Sequence, residues 1–314
     1  MSRPSLALTV ALLFGIFAAL PALALTGDQA RDDNPVKQMS KAEARRDVWP
    51  KPVDEFLAGE FLERADVVLT RRDYDLSSYL IRLATKSPFS HAAMVFTGPQ
   101  FEAGFSNTFI IEAGTGGVDL TNIRDYLADK SSFVAIKRFR EPWFDAAKKA
   151  RVRGLLLDRI KGSYNYWAIG RIVRNIWFGV QRQVRGKEKT IEAYRESEWQ
   201  PPNDYICSGL VQLGFVEAAL EYIKAGTLPA SALKEVVFNE VAASRLPDAP
   251  DWQYLDAPSQ VATAELFREQ NLVELEAVTP QDLAQSEKLE WLYFIRDGLV
   301  YKINSYDDVL SRTR

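Results

Sequence analysis

The sequence predicts an α+β fold: an antiparallel sheet of short strands packed on a central helix that carries the only cysteine. Three observations predict it. Short apolar runs broken by turn residues follow one another from Ala65 to Phe139. From Cys207 to Tyr222 apolar residues recur three and four apart, the period of a helix face. Near the end, "WLYFIRDGLVYKI" sets Asp297-Gly298 between two β-favouring runs, a strong hairpin signal.

Taken in order, the chain begins with Arg3, an apolar run from Leu6 to Leu20, Pro21 and Ala22-Leu23-Ala24. That is the pattern of a secretory signal cleaved near Ala24. It implies a periplasmic or secreted protein, the other reading being an uncleaved membrane anchor. Residues 25–60 read as a polar leader outside the core. "ADVVLT" is the first strand, and "DLSSYLIRLATKS" places Leu76, Tyr79, Leu80 and Leu83 at helical spacing behind Asp75. "HAAMVF" and "TFIIEAG" are two strands about a turn rich in Gly and Asn. "LTNIRDYLADK" is a short helix and "SFVAIKRF" a further strand. A helix begins after Pro142 and runs to Gly162. The basic and aromatic stretch 170–198 reads as an insertion before the Cys207 helix, which ends near Gly226. The catalytic domain is then 61–227, and 228–314 is an extension packed on it.

Composition narrows the function. The net charge is −3, the pI is near 5.5, and 47% of residues are hydrophobic. A large core is affordable and a general nucleic-acid binder is excluded. One histidine and one cysteine are too few for the usual zinc sites, so no metal or cofactor is expected.

The lone thiol is the first candidate. At a helix N-terminus the partial positive charge favours thiolate over thiol. Asn203 or Asp204 can cap that helix. Cys207, Leu210, Val211, Gly214, Phe215, Ala218 and Tyr222 form its apolar stripe, and Gly214 would admit a strand at close range. A free cysteine also serves as a small buried hydrophobe. His91 is the second candidate, because a thiol nucleophile needs a base and the chain offers one imidazole. If the runs around His91 and Ile110 form a hairpin with a symmetric turn, Glu112 lies opposite His91 on the same face. A carboxylate in "FIIEA" is costly to bury without such a partner. Asp119 is the alternative acid.

"YICSGLVQLGF" resembles the cysteine motif of the NlpC-type papain-like cysteine hydrolases, and "ADVVLTRRDYDLSSYLIRLATKSPFSHAAMVF" is similar to the histidine half of their circularly permuted, YiiX/YebB-like branch. The resemblance covers about Ala65 to Ala219. It implies a permuted papain-like fold, with Cys207 as nucleophile, His91 as base and Glu112 as orienting acid. "KGSYNYW" resembles the segment that carries the oxyanion-stabilising tyrosine, which points to Tyr164, with Tyr166 and Tyr205 as alternatives.

The implied activity is hydrolysis of an amide, such as a cell-wall peptide, through an acyl-enzyme. A second reading keeps the site and makes the protein a lipid acyltransferase or thioesterase, as in the lecithin:retinol acyltransferase group. Arg171, Arg174, Arg182, Arg185, Lys187 and Lys189 among Trp177 and Phe178 would then meet a membrane or envelope polymer through 170–189. A third is a non-catalytic envelope binding protein.

Overall fold

Each strand among the described residues is short, but every one finds a partner in the same sheet. The computed structural model describes residues 44–71, 76–99, 107–114, 117–127, 132–160 and 206–313. The strands are β1 (Lys51–Pro52), β2 (Val67–Arg71), β3 (His91–Thr97), β4 (Phe109–Gly114), β5 (Gly117–Asn122), β6 (Phe133–Phe139), β7 (Leu289–Arg296) and β8 (Leu299–Lys302). They form one antiparallel sheet in the order β1-β8-β7-β6-β2-β3-β4-β5. The protein is therefore a mixed α+β structure with an open eight-stranded sheet.

Side chains alternate across this sheet as the pleat requires. Leu69, Ala92, Met94, Ile111 and Ala135 face one core, whereas Val68, Ala93, Val95, Ile110 and Val134 face the other. Because both faces are covered, the inner strands read as continuous apolar runs and show little polar alternation.

The first core holds the cysteine helix, and most of the helices in the second half of the chain surround it. The described helices are α1 (Val53–Ala58), α2 (Leu76–Thr85), α3 (Arg124–Leu127), α4 (Ala146–Leu157), α5 (Cys207–Lys224), α6 (Ala232–Val236), α7 (Glu240–Ala243), α8 (Ala249–Trp252), α9 (Ala257–Gln270), α10 (Leu272–Glu276), α11 (Pro280–Gln285) and α12 (Tyr306–Thr313). α5 packs on β3 and β4 and is enclosed by α4, α6, α9 and α10. Every residue from Cys207 to Val216 is buried, so this half of α5 is enclosed on all sides where one buried stripe was expected. Gly214 makes its close approach to α4 and not to a strand: a Cβ there would meet Leu156 Cδ2 at 2.9 Å.

Other expectations also need correction. Residues 51–58, assigned to the leader, form β1 and α1. Lys51 pairs with Val300, and Val53, Phe56 and Leu57 are buried on the second core. Their charges hid them, since the Lys51 ammonium is itself buried and held by Glu55 at 2.6 Å. In α2, Tyr79 and Leu83 face outward at 53% and 55% exposure, while Ser78 is buried. α4 starts at Ala146, where Asp145 accepts from the N–H groups of Ala147 and Lys148, and it ends at Leu157. The extension after residue 228 does more than pack on the sheet. It supplies β7 and β8, and β7 pairs with β6 beside the central strands. The predicted hairpin is present, with Asp297 (φ 53°) and Gly298 (φ 75°) as its two turn residues.

Residues 1–43, including the signal-like segment, and the stretch 161–205 lie outside the described residues.

Candidate active site

Cys207 is the first residue of α5, preceded by Ile206 in an extended conformation (φ −89°, ψ 151°) that makes no side-chain cap. The expected caps Asn203 and Asp204 lie outside the described residues. The thiol is buried, at 4% exposure. It accepts hydrogen bonds from the backbone N–H groups of Ala92 and Ser208 and pairs with His91. The end of α5 thus meets the start of β3, where one strand brings both a backbone donor and the imidazole.

Two backbone contacts from the C-terminal third fix the turn that holds the thiol. Ser208 Oγ donates to the carbonyl of Val278 at 2.5 Å. Gly209 lies so close to α10 that a Cβ would fall 2.1 Å from the carbonyl oxygen of Glu276. Only glycine fits there. One turn further along, the buried Gln212 amide donates to Val236 O at 2.7 Å and accepts from Phe238 N at 2.7 Å. All of the polar groups on this face of α5 are matched across the interface, as burial demands.

His91 opens β3, directly across from Thr70 of β2. Its Nε2 lies 2.5 Å from Glu112 Oε2, which leaves Nδ1 for the thiol. The expected register was off by two residues: Met94 pairs with Ile111 and Val95 with Ile110, with an irregularity before Thr97. Glu112 therefore reaches His91 diagonally. An even offset preserves the face, which is why the pairing survives. Asp119 lies directly opposite Glu112 but is exposed and accepts from its neighbour Leu120 N at 2.7 Å. Glu112, and not Asp119, is the acid on the imidazole.

Glu112 has further partners that the sequence did not suggest. The Thr121 hydroxyl donates to Oε1 at 2.5 Å, and the Tyr126 hydroxyl donates to Oε2. The Tyr126 ring also lies parallel to the imidazole, with centroids 6.0 Å apart and planes 2° apart. Tyr126 comes from α3 and Thr121 from β5, and no local pattern ties either one to residue 112.

The charges follow from this enclosure. Burial alone would keep His91 neutral, but the Cys207 sulfur and then Glu112 outweigh it and raise its pKa to about 10. Burial alone would likewise raise the Cys207 thiol. The His91 charge and hydrogen bond, with the two N–H donors, lower it instead. Burial opposes ionisation of Glu112 too, yet His91, Thr121 and Tyr126 hold it at about 2. Each of the three groups is thus pushed toward its charged form by the other two or by the donors around it.

No protein-family model matches the chain, and no curated protein matches it significantly. The chemistry must therefore be read from the geometry. Among the described residues, no group of three or more His, Cys, Asp or Glu side chains is placed to hold a metal ion, and no helix is long and apolar enough to cross a membrane. Two surface clefts lie elsewhere, one of about 580 Å³ beside Leu228 and Pro258 and one of about 380 Å³ beside Glu63 and Lys149. Neither is lined by Cys207, His91 or Glu112. Tyr164, Tyr166 and Tyr205, the oxyanion candidates, and the basic stretch 170–189 are outside the described residues.

Proposed function

We propose that this protein is a cysteine hydrolase of the permuted papain-like kind, cleaving an amide through an acyl-enzyme on Cys207. The observation that carries the reading is the chain Cys207–His91–Glu112, in which a helix-terminal thiol, an imidazole and a carboxylate are in series. The order along the chain supports it as well, since the histidine strand precedes the cysteine helix and the sheet packs on that helix.

The Cys207 thiolate attacks the carbonyl carbon, a C–S bond forms, and the carbonyl oxygen takes the negative charge. The backbone N–H of Cys207, at the start of α5, stabilises that oxygen. The C–N bond then breaks as the His91 imidazolium gives its proton to the amine. Neutral His91 next takes a proton from water, whose oxygen attacks the thioester. The acid leaves, and the thiolate–imidazolium pair is restored. Glu112 keeps its charge throughout and orients the ring.

A second reading, transfer of a lipid acyl group by the same dyad, is favoured by one observation. α2 exposes Tyr79 and Leu83 on the segment that runs directly into β3 and His91.

The test is intact-mass analysis of the full chain mixed with p-nitrophenyl acetate. The expected result is a burst of one p-nitrophenol per chain, an acetyl mass on Cys207 and its slow release, all lost in Cys207→Ala. Absence of any adduct on a thiol that is nonetheless ionised would overturn the hydrolase reading. Release of the acyl group to an added amine, from a phospholipid donor and in preference to water, would favour the transferase.

A further inference from the structure

We propose that Tyr126 is a positioning residue of this site, its hydroxyl sharing the Glu112 carboxylate with His91 and its ring holding the imidazole plane. This rests on the hydrolase reading. The residue is 4% exposed and belongs to α3, which follows the buried Ile123 and is tied to α1 through Arg124 and Asp54 at 2.7 Å. Its placement is therefore set from outside the catalytic strands.

The geometry assigns it two effects. First, Glu112 Oε2 accepts from both His91 Nε2 and the Tyr126 hydroxyl, while Oε1 accepts from Thr121. Each donor draws on the charge available to the others. A carboxylate bonded to the imidazolium alone would hold that proton more tightly and make His91 a weaker acid toward the leaving amine. Tyr126 thus keeps the proton transferable. Second, the parallel ring, 2° from the imidazole plane, limits rotation of His91 away from the thiol. Tyr126 need not touch the substrate for either effect.

The chain has a single histidine, so ¹⁵N-histidine labelling of the full protein yields one imidazole to titrate by NMR. In Tyr126→Phe the ring remains, Thr121 still anchors Oε1, and only the competing donor is lost. The expected result is a rise in the His91 midpoint of about half to one pH unit, about a three- to tenfold gain in proton affinity. The acylation rate with a p-nitroanilide, whose amine must take the His91 proton to leave, should fall without a matching rise in KM. Thr121→Val, which removes the donor on the other oxygen, should move the midpoint the same way. A wild-type midpoint that neither variant raises overturns the proposal and leaves the hydrolase reading standing. Failure of p-nitrophenyl acetate to acylate Cys207 overturns that reading, and this proposal with it.

Discussion

Gly209→Ala should damage this protein more than Gly214→Ala, although the two glycines lie on the same helix. A methyl at 209 would fall 2.1 Å from Glu276 O, 2.8 Å from Glu276 C and 3.0 Å from Glu276 Cα. Ordinary contact begins near 3.4 Å, so α10 must retreat by more than an ångström or the first turn of α5 must tilt. The obstacle is backbone and cannot rotate aside. Overpacking of this kind costs about 1–3 kcal/mol or more, against about 1 kcal/mol recovered because alanine suits a helix better than glycine. With the cost at the upper end, the net loss is about 2 kcal/mol, a fall in Tm of about 3 °C for a chain of 314 residues. At Gly214 the nearest atoms are the end of the Leu156 side chain, at 2.9, 3.1 and 3.3 Å, and these can give. Its substitution should lie within about 1 kcal/mol of wild type. Thermal unfolding followed by circular dichroism measures both, and iodoacetamide reactivity reads the site. Cys207 lies two residues before Gly209, so only Gly209→Ala should also slow alkylation. If Gly209→Ala is as stable and as reactive as wild type, or Gly214→Ala is the worse of the two, the close-approach argument is wrong.

Alkylation of Cys207 by iodoacetamide should proceed well below the ordinary thiol pKa of 9.0, because the thiol is held down chiefly by His91. In His91→Ala, burial acts without that charge, and the rate at pH 6 should drop at least about tenfold. Stability against urea should plateau from about pH 6.5 to 9. The raised pKa of His91 contributes stability that is complete below 6.5 and lost toward 10, whereas the lowered Cys207 contributes stability that is complete above 9.0 and lost as pH falls, so the two offset each other in between. Below 4.5 a further loss should follow as pH drops toward 2 and Glu112 takes up its proton; a urea midpoint that stays constant from pH 7 to 3 would exclude this. Lys137→Met should cost about 2 kcal/mol in chemical denaturation, since the buried amine donates to the carbonyls of Leu283, Ala284 and Ser286 at the end of α11 and methionine leaves the first two without that donor, Ser286 keeping the N–H of Leu289. A neutral result would mean that water replaces it.

Local chemistry alone determined a good deal here. The apolar runs of β2, β3, β4 and β6, the Asp297-Gly298 turn and the Cys207 helix are properties of a few adjacent residues, and each is legible where it stands. The Cys207–His91 pair was legible for a simpler reason, that one histidine and one cysteine allow only one pairing. Glu112 was reachable because strand parity survives an even register error. What lies across the fold was not legible. The charges of residues 51–58 disguise a strand and a helix, because Lys51 is buried and meets the half-buried Glu55 only in the folded chain. Thr121, Tyr126 and the Val278 carbonyl act on the site from elements brought to it by the sheet and by the C-terminal helices. The ionisation of the pair likewise depends on desolvation and on donors from distant segments, and neither exists before the chain has closed around Cys207. Sequence pattern specifies which groups can react; tertiary burial decides which of them are charged and how they are aimed.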